Sequence, residues 1–269
     1  MTIFGDPIDV RHLFPVERRL LLDLLEGLSP ADWTRPTVCP GWTVHDIAAH
    51  VLHDYGRRLS GSRDGHHGSG FREGETLPTF LARVNDEFVQ AARAFSSAVV
   101  TDLIRHLGVQ LDAYWHRKDL DTPADLDVSW AATDVPSPAW LDVAREFTEF
   151  WVHQQQIRDA VGRPGARELT DPVVDTFARA LPFTLRDLAR PDGASVALKV
   201  GARAWSAVRR DGRWRMGAGE PAAEVTMDQD TFWRLATRGI PVEEARRRAT
   251  TSGDPELTEA ATTLLAVVA

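Results

Sequence analysis

The chain has 269 residues, of which 43% are hydrophobic and 26% charged, a composition typical of a soluble globular protein. Its length favours two domains, and its net charge of −8 argues against a nucleic-acid partner. No apolar run approaches the roughly 20 residues that a membrane span needs, and the N-terminus lacks a signal-peptide pattern. We therefore expect no membrane partner and a cytoplasmic location.

The first part of the chain predicts helices. Apolar residues at helical spacing follow Pro15 and end near Gly27, and a second helix begins at Thr43, where Asp46 completes a capping-box pattern. Residues 60–75 are rich in glycine, serine and charged residues, which predicts a mobile loop.

Two amphipathic stretches follow, Phe80 to Phe95 and Val99 to Trp115, and they form either one broken helix or two. A further helix begins at Ser137-Pro138 and ends near Gly162. Together, residues 1–165 are expected to form a helical domain.

The pattern changes after about residue 170 to short strands, with Asp211-Gly212 as a tight hairpin turn. Residues 170–269 are therefore expected to form a mixed α+β domain. Its predicted strands and helices are Ser195–Val200, Trp205–Arg210, Arg213–Met216 and Ala223–Met227, then a helix at Asp228–Thr237 and another after Pro255.

The single cysteine restricts which residue types could bind a metal ion in this chain. Cys39 is the single cysteine, so a disulfide within the chain and a cysteine-based metal cluster are excluded, and a metal ion would need histidine and carboxylate ligands. Glu149 and His153 are four residues apart, which places both on one face of a helix. That spacing suits a metal site but is also common by chance. The aromatic residues around the pair favour a cation as the partner of the buried carboxylate.

His50 shares a face of its helix with Asp46, Asp54 and Arg57. Without further information, this polar stripe is equally consistent with a solvated surface. His45 is expected to face solvent, His53 is more simply a surface or capping residue than a ligand, and Cys39 is expected to be a small buried residue without a catalytic role.

The segment from Trp33 to Val51, WTRPTVCPGWTVHDIAAHV, resembles the start of the mycothiol-dependent maleylpyruvate isomerase family, a branch of the DinB-like metal-binding bundles. The resemblance implies an antiparallel four-helix bundle followed by a sterol-carrier-like α+β domain. It also implies that His50, Glu149 and His153 are the metal ligands. Many members have an acidic residue three positions after the last ligand, where this chain has Gln156.

The resemblance implies an enzyme in which the metal activates mycothiol, a low-molecular-weight thiol. Three ligands of this type match catalytic zinc, with one position left open, although nickel, iron and manganese remain alternatives. The expected reaction is isomerisation, or thiol S-transfer, of a small electrophile such as maleylpyruvate. A non-catalytic metal-binding or regulatory module and metal-assisted hydrolysis are the alternatives.

Arginines could bind a carboxylate substrate or the polar end of the thiol. Arg57, Arg58 and Arg158 are the nearest to the ligands along the helices, and Arg57 and Arg158 are the catalytic candidates. The C-terminal arginines that could close over the site are Arg209, Arg210, Arg213 and Arg215. Each is equally consistent with a solvated surface charge.

Overall fold

The computed structural model describes residues 3–267, which divide into two compact units. The first, here called the helical unit, comprises Asp9–Leu120 and Glu146–Leu169. The second, here called the sheet unit, comprises the residues up to Ile8, Asp121–Arg145 and the residues from Thr170 onward. The change of unit near residue 170 lies where the sequence pattern changes, while the segment 121–145 groups with the sheet unit.

Six helices carry the first part of the chain. The helix after Thr43 begins with the capping box that the sequence predicts, and the two amphipathic stretches are separate helices. Their bounds are α1 Phe14–Glu26, α2 Pro30–Trp33, α3 Val44–Arg58, α4 Leu77–Ala92, α5 Ser97–Arg117 and α6 Ala139–Val161. A π-helical turn at Leu59–Arg63 continues α3, so the predicted loop of residues 60–75 begins with helical structure.

Ion-paired side chains show how the helices of the helical unit run. On α3, Arg58 pairs with Glu146 near the start of this unit's part of α6, whereas His50 pairs with Glu149. The partner of the later α3 residue is thus the earlier α6 residue, so these helices are antiparallel. Phe14 on α1 packs its ring against Phe147 of α6 at a centroid distance of 5.5 Å. The contacts therefore place α3 and α1 against α6 around one aromatic core.

A glycine allows close packing on α5. A Cβ atom at Gly108 would meet side-chain atoms of Arg18 and Tyr55. Arg18 of α1 is also ion-paired with Asp112 of α5. Gly108 thus leaves room for the side chains of α1 and α3 that pack on this helix.

The sheet unit contains one five-stranded sheet of order β3-β2-β1-β4-β5. Strands β1 and β4 pair in parallel, and the other neighbours are antiparallel. The strands are β1 Ser195–Val200, β2 Arg203–Arg210, β3 Arg213–Met216, β4 Pro221–Met227 and β5 Thr250–Gly253, and the helices are α7 Thr170–Ala178, α8 Leu181–Thr184, α9 Gln229–Ala236, α10 Val242–Arg248 and α11 Pro255–Ala261.

The predicted hairpin turn is confirmed. Arg210 of β2 faces Arg213 of β3, and the two residues between them, Asp211 and Gly212, have φ angles of 52° and 73°. Positive φ at both central positions is the geometry that Asp-Gly favours in a two-residue hairpin. The mixed α+β character expected for residues 170–269 is also present.

Within residues 3–267, no helix combines the length and the apolar character that crossing a bilayer requires.

Candidate metal centre in the helical unit

Three side chains from α3 and α6 converge in the helical unit. The Oε1 atom of Glu149 lies 3.0 Å from Nε2 of His153 and 3.4 Å from Nε2 of His50. The two imidazole rings are nearly perpendicular, with centroids 4.6 Å apart. The structure thus brings together the three residues that the sequence predicts as metal ligands, and their donor atoms form a group that could hold a metal ion.

The start of α3 is fixed by a capping box. The Thr43 hydroxyl accepts from the backbone N–H of Asp46, and the Asp46 carboxylate accepts from the backbone N–H of Thr43. Arg93, just after α4, donates to both oxygens of Asp46 at 2.9 and 3.0 Å. These contacts hold the helix end one turn before His50, and therefore position this ligand.

Burial and mutual contact govern the ionisation of the cluster. Burial disfavours the charged form of Glu149, but the hydrogen bonds and charges of His153 and His50 outweigh it and hold the pKa of Glu149 well below its usual range. Burial also opposes the charging of His153, yet Glu149 raises the pKa of that imidazole above its usual value. The carboxylate is thus ionised and attracts positive charge, as a cation site requires.

The donor set fits a divalent metal ion. Bonds of about 2.0–2.2 Å to imidazole nitrogen and carboxylate oxygen, at angles of about 90–110°, separate neighbouring donors by about 3.0–3.5 Å. The separations of 3.0 and 3.4 Å around Glu149 Oε1 lie in that range. These two separations are therefore compatible with one ion bound by Glu149 and either histidine.

A buried carboxylate lies beside His50 on the next turn of α3. Oδ2 of Asp54 is 3.6 Å from His50 Nε2, and Oδ1 accepts from Nε and an Nη atom of Arg57 at 3.2 and 2.9 Å. Burial raises the pKa of Asp54, but the charges of Arg57 and His50 outweigh it and leave that pKa below its usual value. Arg57, one of the two catalytic candidates from the sequence, therefore lies close to the cluster. Its guanidinium donates to Asp54 and is held by it.

His50 also belongs to a second group of possible ligand atoms, with His53 and Asp54. The His53 ring stacks on Phe88 of α4 at a centroid distance of 4.7 Å, and burial lowers the pKa of this histidine. His45 is placed elsewhere, since its Nε2 atom lies 3.1 Å from the backbone oxygen of Phe95.

The turn before α3 contributes two side chains. Trp42 lies against His50 with ring centroids 5.2 Å apart, and its indole Nε1 donates to Asp86 at 3.2 Å. The Cys39 thiol donates to the amide oxygen Oε1 of Gln156 at 3.5 Å. The same Oε1 is 2.7 Å from Nδ1 of His153. This turn therefore contacts His50 directly and His153 through Gln156.

Arg158 occupies a different position. Its Nε donates to Gln154 Oε1 at 3.0 Å and its Nη1 to the backbone oxygen of Pro164 at 2.9 Å. Because Arg158 is five residues after His153, it lies on another face of α6. These contacts tie the end of α6 to the residues that follow it, while a role for Arg158 in binding substrate stays a prediction.

The four C-terminal arginines lie in the sheet unit. Arg209 donates to the backbone oxygen of Leu188 at 3.2 Å, Arg213 is ion-paired with Asp134 at 2.5 Å, and Arg215 lies 3.7 Å from Asp211. Arg210 is exposed at the end of β2. The expectation that they serve the site stays a prediction.

Sequence reasoning overlooked three neighbours of the cluster. It took Asp54 only as part of a polar stripe, Gln156 only as a departure from a family pattern, and Cys39 as a small buried residue. The spacing of Gln156 from His153 places both on one face of α6 and is a signal that the sequence contained. The contact of Cys39 joins residues 117 positions apart and has no local signal.

The part of the chain that carries the cluster matches a known protein family. The family model for the mycothiol maleylpyruvate isomerase N-terminal domain matches residues 14–158, more than half of the chain. That range includes the three converging residues. A search of curated protein sequences found no significant match.

Crystal structures of the mycothiol-dependent maleylpyruvate isomerase and of a mutant of it are similar to this chain, with TM-scores of 0.57 and 0.56 and 15% identity. Each comparison covers 94% of this chain and 96% of the other. At this identity the likeness shows the fold, and it confirms the predicted fold class. The colibactin self-resistance protein ClbS, solved in complex with a dsDNA, gives a TM-score of 0.45 at 13% identity over 56% of this chain and 93% of its own, and supports no inference. On the family match, the chain belongs to the mycothiol maleylpyruvate isomerase N-terminal domain family.

Proposed function

We propose that this chain is a metal-dependent enzyme that uses mycothiol to isomerise a small electrophile such as maleylpyruvate, or to transfer the thiol to it. The observation that carries the proposal is the convergence of His50, Glu149 and His153, with donor atoms 3.0 and 3.4 Å apart. Membership of the family, whose name includes both mycothiol and maleylpyruvate isomerase, supports the choice of thiol and substrate.

The three ligands leave a position for the thiol. Zinc is the favoured ion because two imidazoles and one carboxylate with an open position are typical of catalytic zinc. When bound, the ion would supply the charge that stabilises a thiolate, the nucleophilic form of a thiol, at neutral pH. Addition of the thiolate to a conjugated cis double bond, rotation and elimination would give the trans isomer. Stopping after addition would give a thiol transferase.

The charges of the surrounding residues determine which ligand the metal site would attract. Glu149 neutralises one of the two positive charges, and the histidines contribute none when their Nε2 atoms are bare. Asp54 and Arg57 form an ion pair beside His50, so together they add no net charge. The site with a divalent ion would thus carry one positive charge, which favours an anionic ligand such as a thiolate.

Arg57 is the catalytic candidate closest to the ligands. Its guanidinium is held by Asp54, so the proposed role is to orient that carboxylate and to present positive charge near His50. Arg158 is proposed as a second residue that binds the substrate, with its hydrogen bonds to Gln154 and Pro164 kept.

The deciding experiment uses the full chain loaded with zinc, mycothiol and maleylpyruvate. We expect about one equivalent of bound metal and conversion that depends on both metal and thiol. In cobalt-substituted protein, added mycothiol should change the visible spectrum. A cobalt site that does not respond to thiols, together with no turnover, would favour a non-catalytic metal-binding module. Turnover that requires the metal but not the thiol would favour hydrolysis.

A further inference from the structure

The amide of Gln156 makes a close contact with one of the proposed ligands. Its Oε1 lies 2.7 Å from Nδ1 of His153, while Nε2 of the same ring points to Glu149 Oε1 at 3.0 Å. Gln156 and His153 are both buried, each with 9% of its surface exposed. We propose that Gln156 is a positioning residue that fixes the tautomer and orientation of His153 for metal binding, an inference that rests on the proposed metal centre.

The tautomer follows from the chemistry of the two partners. A neutral imidazole has one N–H and one bare nitrogen, and an amide oxygen can only accept a hydrogen bond. Gln156 Oε1 therefore requires the proton on Nδ1 of His153. When a metal ion takes the place of the proton that Nε2 shares with Glu149, the lone pair of Nε2 is the one that binds it. In water both tautomers would exchange, so the contact favours the form that binds the ion through Nε2.

Cys39 fixes the amide in this orientation. Its thiol donates to the same Oε1 of Gln156 at 3.5 Å. If the amide turned over, its NH₂ group would face the Nδ1–H of His153, which is repulsive, and the thiol would lose its acceptor. The turn that carries Cys39 is itself held, because Trp42 N donates to the Cys39 oxygen at 3.1 Å and the Thr37 hydroxyl donates to the Trp42 oxygen at 2.9 Å. The turn before α3 thus acts on His153 through Gln156.

The amide of Gln156 also affects the net charge of the metal-loaded site. A carboxylate at this position would increase the basicity of the imidazole and would cancel the remaining positive charge of the loaded site. A neutral acceptor orients His153 and leaves that charge in place. Gln156 therefore combines a fixed ligand with a site that attracts an anion.

The test compares three variants of the full chain. Gln156→Met keeps a side chain of similar length but removes the acceptor, and Gln156→Glu keeps an acceptor. Gln155→Met is the matched control, because Gln155 is a buried glutamine on the same helix whose amide contacts Trp151 O and Ala166 N. Zinc affinity is measured by chelator competition, and the protonated nitrogen of His153 is identified by ¹⁵N NMR of the zinc-loaded protein.

We expect Gln156→Met to bind zinc about 10- to 100-fold more weakly, the usual effect of losing such a partner. Gln156→Glu should bind at least as tightly as the wild type, and Gln155→Met should match the wild type in affinity. The Nδ1–H resonance of His153 should be protected from exchange with solvent in the wild type and lose that protection in Gln156→Met.

These measurements separate an error in the proposed metal centre from an error in the role of Gln156. If the wild-type protein binds no zinc, or binds it without His50 and His153, the proposed metal centre is wrong. If the wild type binds zinc through these histidines and Gln156→Met has the same affinity and the same protected Nδ1–H, the metal centre stands and the role of Gln156 is wrong.

Discussion

Arg58 of α3 and Glu146 of α6 form an ion pair at 2.8 Å with side chains that are 1% and 0% exposed. The guanidinium also lies over the ring of Trp115 at 5.4 Å from its centroid. Two charges are removed from water at this point, and each offsets part of the cost of burying the other. The pair joins the end of α3 to α6, the two helices that carry the proposed ligands.

Removing one member of this pair should destabilise the protein strongly. We expect Glu146→Gln to lower the free energy of unfolding by about 3–5 kcal/mol, because the buried Arg58 would lose the negative charge that faces it. The double variant Arg58→Met with Glu146→Leu should recover much of that loss. Urea unfolding followed by circular dichroism measures both. A loss below about 1 kcal/mol for Glu146→Gln would show that the pair contributes as little as a surface salt bridge.

A second buried carboxyl group makes stability depend on pH. Glu17 of α1 is fully buried, and burial raises the pKa of its carboxyl group to about 8, although the hydrogen bond from Gln154 opposes this. In the unfolded chain the same group has an ordinary pKa of about 4.3. The folded state therefore binds this proton more tightly, so its contribution to stability is complete below about pH 4 and is lost as the pH rises to about 8.

Glu17→Gln should remove this dependence. The amide oxygen can still accept from Gln154 Nε2, which lies 3.0 Å from Oε1 of Glu17. We expect the variant to gain stability relative to the wild type as the pH is raised from 5 to 9, by an amount on the order of 4 kcal/mol. Glu220→Gln, at an exposed position, is the control. Equal pH profiles for the wild type and Glu17→Gln would show that Glu17 titrates normally.

Local signals explain how much of the fold could be predicted. The capping box at Thr43 and the Asp211-Gly212 turn are set by neighbouring residues, and both are present in the structure. Strand β5 was missed because Thr250–Gly253 is an exposed edge strand without alternation of apolar and polar residues. Helix α10 was missed because its sequence VEEARRR buries only Ala245 and therefore has no apolar stripe.

In the candidate site, too, local sequence patterns predict some contacts and not others. Glu149 and His153 are brought together by the geometry of one helix, so their spacing alone predicts the contact. His50 joins them only through packing of α3 on α6, and it was identified through the family resemblance. The contacts of Cys39 and Trp42 depend on how a turn folds back over the helices, which no local pattern encodes.

Cys39 should react slowly with thiol reagents in the folded protein. Burial, and then the negative charge of Glu149, raise the pKa of its thiol to about 11. At pH 8 the reactive thiolate would be about a hundredfold scarcer than in an ordinary cysteine. Alkylation by iodoacetamide, followed by mass spectrometry, should therefore be at least that much slower in the folded than in the urea-unfolded chain. Comparable rates would mean that Cys39 is accessible and ionises normally.

The choice between the two groups of ligand atoms can be tested by substitution. We expect His50→Ala and His153→Ala each to lose most of the bound metal and to remain helical by circular dichroism, because the core of the helical unit does not depend on the ion. His53→Ala should keep its metal, since His53 belongs only to the group with His50 and Asp54. Loss of metal in His53→Ala but not in His153→Ala would place the ion in that second group.

Glu149 is expected to be a metal ligand and not a free general base, because its Oε1 lies between Nε2 of His50 and Nε2 of His153. Glu149→Gln keeps the shape of the side chain but removes the charge that offsets the cation. It should therefore weaken metal affinity, and excess metal should restore at least part of the thiol-dependent turnover. A general base would behave differently, because its loss would leave affinity nearly intact and abolish turnover that added metal could not rescue. Titrating zinc into the variant while measuring occupancy and turnover together decides between the two, and full occupancy without turnover would contradict the assignment of Glu149 as a ligand.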